Sequence, residues 1–188
     1  MLKPLTATYP LDGRSTTLGD TALWVIRDRP IYSLSVPLGE DARFEAALQG
    51  SFGLSRPAPG ASTVSANGDC RLCGLAQDQF FLIAQRAEQP DASALAALLG
   101  TAAYVTDQSD SWVSLHLKGA LALPALERIC PINLAPSAFP AGALARTSME
   151  HLGAIILADD EGGFTLISAI SSAESFWHAV EQSLRNVM

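Results

Sequence analysis

The sequence predicts an α+β protein of two pseudo-repeated β-α-β-β-β-α units, in which antiparallel sheets pack against helices. The first observation behind this prediction is that a strand-like alternation of apolar and polar residues runs into a helical pattern twice along the chain. The second is that the two passages match at a constant offset of 81 residues. At this offset Ser33–Leu34 aligns with Ser114–Leu115, and Pro59 aligns with Pro140. A shared offset across a strand and a proline-rich loop favours a repeat over a chance match.

The first unit is predicted over residues 21–100, after an N-terminal extension over residues 1–20. Gly50 is expected to end the first helix, and Asp91 is placed to cap the second. The expected helices are Asp41–Gln49 and Ala92–Leu99. The expected strands are Ala22–Arg27, which precedes the repeated pattern, and then Tyr32–Val36, Thr63–Ala66, Arg71–Ala76 and Phe80–Gln85.

The second unit is predicted over residues 101–188, and a strand near Ala102–Val105 links it to the first. Pro131 is expected to stop its first helix, and Ser171 with Glu174 predicts a capping box for the final helix. The further expected elements are strand Trp112–Leu117, helix Ala120–Cys130 and strands Leu144–Met149, Ala154–Ala158 and Phe164–Ser168. The final helix has one apolar stripe, formed by Ala173, Phe176, Trp177, Val180, Leu184 and Val187.

Composition excludes several function classes. The 188 residues carry a formal charge of −7, and only two of the 12 basic residues are lysine, so nucleic-acid binding is not expected. No apolar run is long enough to span a membrane and no secretory signal is visible, so we expect a cytoplasmic protein. Charged residues make up 16% of the chain against 48% hydrophobic residues, which indicates that a partner covers part of the surface.

Cysteine and histidine spacing gives no convincing metal or redox site. Cys70 and Cys73 have the spacing of redox and zinc sites, but in a strand these positions point to opposite faces. We therefore expect buried cysteines, with a thiol or zinc protein as an open alternative. His116, His151 and His178 lack the spacing of a helical metal pair, and the alternation of its strand predicts that His116 faces solvent or a partner.

The carboxylates form no convincing acid–base pair. Asp107 and Asp110 flank the start of a strand, where they could cap it or bind a polar ligand, and we favour a solvated loop. Asp159–Glu161 lies in a turn, where such residues are expected on backbone grounds. Phosphate-binding and dinucleotide-binding glycine loops are also missing from the sequence. We therefore predict no catalytic residues and no metal ligands, and name no cofactor-binding residues.

The stretch from Thr106 to the C-terminus resembles the gamma subunit of heterotetrameric sarcosine oxidase. An ordered series of segments carries this resemblance: Thr106–Leu117, Leu126–Leu134, Phe139–Thr147, His151–Gly153 and Ser175–His178. The N-terminal half fits the family by length and pattern only. Two departures are the missing proline after Gly119 and the presence of His116 where an arginine is usual.

The resemblance implies a fold related to the folate-binding domain of the glycine-cleavage T-protein. It also implies a complex with alpha, beta and delta subunits that oxidatively demethylates sarcosine to glycine. The one-carbon unit then leaves as formaldehyde or on tetrahydrofolate, and oxygen becomes hydrogen peroxide. FAD, FMN, NAD and tetrahydrofolate are expected on the partner subunits and none on this chain. The gamma subunits have no known catalytic residues, so none is transferred here.

Two further expectations concern surfaces and rival functions. Trp24, Tyr32 and Phe139 are candidate interface residues, because aromatic side chains are enriched at subunit contacts. Without its partners the chain is a candidate homodimer. The alternative function is a stand-alone folate-binding or aminomethyltransferase-like protein that holds the pterin through Asp107 or Asp110.

Overall fold

The structure is a computed structural model that describes residues 8–85 and 91–188. Its strands in chain order are β1 (Ser15–Leu18), β2 (Thr21–Ile26), β3 (Ile31–Ser35), β4 (Ser62–Val64), β5 (Cys70–Gly74), β6 (Gln79–Ala84), β7 (Tyr104–Asp107), β8 (Trp112–Lys118), β9 (Leu144–Met149), β10 (Leu152–Ala158) and β11 (Phe164–Ala169). Its α-helices are α1 (Asp41–Phe52), α2 (Ala92–Leu99), α3 (Ala122–Ile129) and α4 (Ala173–Arg185).

The strands form two antiparallel sheets that pack on each other. The six-stranded sheet has the order β1-β2-β8-β11-β10-β9, and the five-stranded sheet has the order β4-β5-β6-β3-β7. One apolar cluster joins α3 and α4 to the six-stranded sheet, and a second joins α1 and α2 to the five-stranded sheet. A third cluster fills the space between the sheets. The layers therefore run helix, sheet, sheet, helix, and they confirm the predicted mixture of helices with antiparallel sheets.

Along each strand, successive side chains point alternately toward the helices and toward the other sheet. In β8, Val113, Leu115 and Leu117 are buried against α3 and α4, so His116 lies on the face toward the other sheet. In β10, Ile156 faces the helices while Ile155 belongs to the cluster between the sheets. Burial on both faces explains why the sequence of β10 is a continuous apolar run.

Along the described strands the chain crosses between the sheets twice, from β2 to β3 and from β7 to β8. β2 pairs with β8 of the six-stranded sheet, although β3, the next strand, belongs to the other sheet. β7 returns to pair with β3. The edges β4 and β9 also approach each other, where an isolated bridge joins Ala61 to Ala143 and the Ser62 hydroxyl donates to the Gly142 carbonyl at 2.8 Å.

Two helix ends differ from the sequence prediction. The first helix continues through Gly50 and ends at Gly53, whose φ of 61° is left-handed. Leu54, only 1% exposed, follows this turn into the core, so tertiary packing sets the end of the helix. The predicted capping box of α4 is also wrong, because a 3₁₀ turn at Ile170–Ser172 precedes the helix and the Glu174 carboxylate pairs with Arg14.

The cap of α2 agrees with the sequence prediction. The Asp91 carboxylate accepts a hydrogen bond from the backbone N–H of Ala94 at 2.8 Å. Among the residues that the structure describes, no helix has both the length and the apolar character needed to cross a bilayer.

Candidate functional site

Two adjoining clefts, of about 330 and 350 Å³, open where β2 and β8 meet the five-stranded sheet. Both are lined by Ile26 and Arg29. We refer to the cleft of about 350 Å³, whose lining includes Ile26 and Arg29, as the intersheet groove. Its main side chains are Trp24, Ile26, Arg29, Arg71, His116 and Asp159.

His116 is held in the groove by hydrogen-bond partners on both ring nitrogens. Its Nε2 atom lies 3.1 Å from Asp159 Oδ2, and its Nδ1 atom lies 3.3 Å from the Thr165 hydroxyl. The Trp24 ring stacks at an angle over the imidazole, with centroids 4.5 Å apart. His116 lies on the predicted face of β8, opposite Val113, Leu115 and Leu117, but its side chain is only 13% exposed, so of the two predicted surroundings, solvent or a partner, solvent is excluded.

This arrangement favours a neutral imidazole. Burial lowers the pKa of His116 from its ordinary value, and the nearby Asp159 carboxylate opposes this only in part. In a neutral ring, Nε2 donates a hydrogen bond to Asp159 and Nδ1 accepts one from the Thr165 hydroxyl. Both ring nitrogens of His116 therefore have partners within the described part of the chain, and these partners fix the orientation of the imidazole.

Gly163 leaves the space that the histidine–aspartate pair needs. A Cβ atom there would lie 2.6 Å from Asp159 Oδ2 and 2.8 Å from His116 Nε2. The Gly163 N–H also donates to Asp159 Oδ1 at 2.6 Å, and the Glu161 N–H donates to the same oxygen at 2.9 Å. The turn between β10 and β11 therefore fixes the carboxylate through its backbone.

We predict that the free energy of unfolding falls as the pH drops below about 6.5, the ordinary pKa of histidine. Because the folded-state pKa of His116 is lower, the unfolded chain binds a proton that the folded protein resists. The stability that depends on a neutral His116 is fully present at pH values above the unfolded-state pKa. It is lost as the pH falls from the unfolded-state pKa to the folded-state pKa. Urea unfolding at about pH 7.5 and about pH 5.5, with His116→Gln as the control, measures it. An NMR titration that gave His116 a folded-state pKa at or above 6.5 would contradict the prediction.

Arg71 reaches into the groove from β5. The residue is 9% exposed, and its guanidinium donates to the Ser62 hydroxyl at 2.9 Å. Among the described residues its nearest acid is Asp160, at 3.6 Å, whose side chain is 72% exposed. Such a pair gains little from its Coulomb attraction, because solvent screens it.

The two cysteines of the candidate thiol or zinc site lie on opposite faces of β5. Cys70 packs against the helices, whereas Cys73 lies between the sheets. Burial raises the pKa of Cys70, and it raises the pKa of Cys73 to about 12. These thiols face different cores and cannot meet at one metal ion. The described residues also hold no cluster of three or more His, Cys, Asp or Glu side chains placed to bind a metal.

The predicted carboxylate groups take up different positions. Asp107 Oδ1 accepts hydrogen bonds from the backbone N–H and the hydroxyl of Ser109, at 2.9 and 2.7 Å. Asp110 lines the 330 Å³ cleft beside Arg29. In the turn Asp159–Glu161, Asp159 holds His116, Asp160 lies near Arg71 and Glu161 pairs with Lys118. The three acids of this turn therefore each have a specific side-chain partner in addition to their place in the turn.

Of the candidate interface aromatics, only Trp24 is exposed, at 36%. Tyr32 is 4% exposed and Phe139 is 7% exposed, so both belong to the core and the prediction is wrong for them. Tyr32 shares the helix-facing side of β3 with Leu34, which explains its burial. The large apolar side chains that are exposed instead include Leu38, Leu98 and Tyr104.

The remaining histidines lie away from the groove. His151 follows Glu150 in the two-residue turn between β9 and β10, and both have positive φ angles, 69° and 46°. Residues that carry a side chain rarely adopt positive φ angles, so the backbone of this turn is strained. His178 lines a separate cleft of about 280 Å³ beside Glu150.

Arg29 and Arg71 are the groove residues that the sequence prediction missed. A signal for Arg71 exists, since it is the single charged residue among apolar neighbours in Cys70–Gly74. Arg29 has a weaker signal in its position before Pro30, which restricts its backbone. Neither signal shows that the two side chains enter one cleft.

Comparison with known proteins gives a family and a fold. The family model described as "Sarcosine oxidase, gamma subunit family" matches residues 38–185. No curated protein matches the chain in sequence. The structure is similar to a chain of heterotetrameric sarcosine oxidase from Corynebacterium sp. U-96 in complex with pyrrole 2-carboxylate, with a TM-score of 0.77 and 23% identity over 89% of this chain and 85% of that chain.

A second similar structure is the glycine cleavage system aminomethyltransferase T from Bartonella henselae. Its TM-score is 0.66 and its identity 18%, over 86% of this chain and 45% of that chain. This chain therefore spans less than half of the transferase. At these identities the two similarities show the fold alone, and they confirm the expected likeness to the T-protein.

Proposed function

Because the chain belongs to the sarcosine oxidase gamma subunit family, we propose that it is the non-catalytic gamma subunit of a heterotetrameric sarcosine oxidase. The observation that carries this proposal is the family match over residues 38–185, which covers the four described α-helices and the strands from β4 to β11. The buried thiols support a non-catalytic role, because burial raises the pKa values of Cys70 and Cys73 and so disfavours the reactive thiolate.

In this proposal the catalytic work belongs to the alpha, beta and delta subunits. They would bind FAD, FMN, NAD and tetrahydrofolate and convert sarcosine to glycine, and the complex would be cytoplasmic. This chain would contribute a folded surface on which the other subunits assemble.

An edge of the five-stranded sheet supports such a surface. In the described parts of the chain β7 pairs only with β3, so its other side presents backbone N–H and C=O groups to these residues' surroundings. Tyr104, the first residue of β7, is 71% exposed, and Leu98 of the preceding helix is 50% exposed. Apolar side chains beside an unpaired strand are typical of a surface that a partner covers.

Affinity purification of the tagged chain from its native cells tests the proposal. We expect it to bring down a large flavin-containing chain, seen as a flavin absorbance spectrum, with sarcosine-dependent formation of hydrogen peroxide. Tyr104→Ser is expected to reduce this recovery by roughly tenfold, as loss of a central interface aromatic does. Val64→Ser is the matched control, because Val64 is 40% exposed on β4, the opposite edge of the same sheet. A colourless chain recovered alone would refute the proposal.

We also infer that the two halves are a structural repeat. In the first half the strand order is β3-β6-β5-β4, and in the second it is β8-β11-β10-β9, so strands in equivalent chain positions have equivalent neighbours. A helix follows the first and the fourth strand of each half. The bridge joins Ala61 to Ala143, which lie 82 residues apart, one more than the offset of 81 between the halves, so it lies close to a local twofold axis.

A stand-alone folate-binding or aminomethyltransferase-like protein is the second candidate. Two observations favour it: the fold similarity to the transferase, and the position of Asp110 in the 330 Å³ cleft. Asp107 is less suited to a pterin, because its carboxylate already accepts two hydrogen bonds from Ser109. Titration of the isolated chain with tetrahydrofolate separates the candidates, since the gamma subunit proposal expects no binding.

A further inference from the structure

The backbone around Arg29 holds this side chain at the groove. Asp28, the preceding residue, has a φ of 58°, and Pro30 follows, which restricts Arg29 to extended conformations. The segment joins β2 of one sheet to β3 of the other, so both of its ends are anchored. Arg29 lines both clefts, and among the described residues it has no acidic partner within ion-pair distance.

Arg71 enters the same groove from the opposite sheet. Ser62 holds its guanidinium, while the exposed Asp160 approaches no closer than 3.6 Å. Desolvation in the groove lowers the pKa of Arg29 from its ordinary value, and repulsion from Arg71 lowers it further. An anion placed between two guanidinium groups relieves such repulsion.

Two of the three described acids that line this cleft are engaged elsewhere. Asp159 accepts hydrogen bonds from His116 and from two backbone N–H groups, and Glu161 pairs with Lys118. Asp160 is the remaining acid, and it lies beside Arg71 rather than paired with Arg29. These carboxylates still repel a dianion such as phosphate more strongly than a ligand with a single negative charge.

We propose that Arg29 and Arg71 bind the carboxylate group of a ligand whose apolar body lies against Trp24 and Ile26. A planar guanidinium matches a carboxylate in a forked geometry, which favours a carboxylate over other monoanions. Trp24 offers an exposed aromatic surface beside the two arginines. The carboxylate belongs to a free organic acid or to an acidic residue of a partner chain, and its chemistry in the groove is the same.

The first experiment titrates the isolated chain with benzoate, followed by the indole N–H signals in ¹H–¹⁵N NMR spectra. Benzoate should shift the signal of Trp24 and leave that of the buried Trp177 unchanged. Benzamide, which has the same ring without the charge, and inorganic phosphate should have weaker effects. Arg29→Gln and Arg71→Gln should each raise the Kd for benzoate roughly tenfold. Arg43→Gln is the control, because Arg43 is exposed and pairs with Glu40 on the first turn of α1.

The second experiment measures recovery of partner chains with the same three variants, and this arm rests on the proposed gamma subunit function. If benzoate has no effect, but Arg29→Gln and Arg71→Gln reduce recovery at least fivefold while Arg43→Gln does not, the carboxylate belongs to the partner. Equal benzoate binding by wild type and both groove variants overturns the proposal. So does the absence of any effect in both experiments. If the wild-type chain recovers no partner, the gamma subunit proposal fails, and the benzoate titration alone decides the groove.

Discussion

Replacing Gly119 with alanine is expected to lower the free energy of unfolding by roughly 3–5 kcal/mol. Gly119 has a φ of 129°, and a Cβ atom there would lie 2.4 Å from the Thr21 Cα and 2.6 Å from the Asp20 carbonyl oxygen. Both are backbone atoms, one in the turn between β1 and β2 and one in the first residue of β2, so no side-chain rotation relieves the overlap. The substitution must separate this turn from the segment that joins β8 to α3.

Thermal unfolding monitored by circular dichroism measures this effect. For a chain of this length the expected loss corresponds to a fall in Tm of roughly 6–20 °C. Gly153→Ala is the matched control, because a Cβ atom there would have no other atom within 4 Å and its φ is not positive. If Gly119→Ala melted within about 2 °C of the wild type, the close approach of the two turns would be wrong.

Trp177→Ala is expected to have a comparable effect through a different cause. Trp177 is 1% exposed on α4, and its indole N–H donates to Glu181 at 2.9 Å. Removal of the ring leaves a cavity between α4 and the six-stranded sheet, at a cost of roughly 3–5 kcal/mol. The Arg14 guanidinium, 5.1 Å from the ring centroid, also loses its aromatic contact.

Trp24→Ala is the matched control for this substitution. Trp24 is 36% exposed, so its truncation is expected to cost about 1 kcal/mol or less of stability. Urea unfolding of both variants gives the comparison. Equal losses for Trp177→Ala and Trp24→Ala would mean that α4 does not pack on the sheet as described.

Most strands are predictable from the sequence, because alternation and turn residues bound them. β9 has the predicted limits, Leu144–Met149, and the other predicted strands differ by a few residues. β1 is missed because Ser15–Leu18 is a mostly polar, partly exposed edge strand with little apolar pattern. The end of α1 is missed because the burial of Leu54, rather than the presence of Gly50, determines it.

The groove is less predictable than the strands, because its residues come from separate parts of the chain. The period of two places His116 on the face away from α3 and α4, but it does not show that the other sheet and Asp159 cover this face. Similarly, the position of Arg71 in β5 does not reveal Arg29 beside it. Exposure is equally hard to predict in loops, as the buried Phe139 shows.

The pairing of β2 with β8 has a consequence for synthesis on the ribosome. Trp24 pairs opposite His116 in this ladder, and the paired residues lie about 90 positions apart in the chain. At translation rates of about 5–20 residues per second, the β1–β2 hairpin waits roughly 5–20 s for its partner strand. During this interval the apolar side chains of β2 are available to chaperones and to aggregation. The six-stranded sheet therefore cannot close around β2 until much of the second half has emerged, and the native fold is completed late in synthesis.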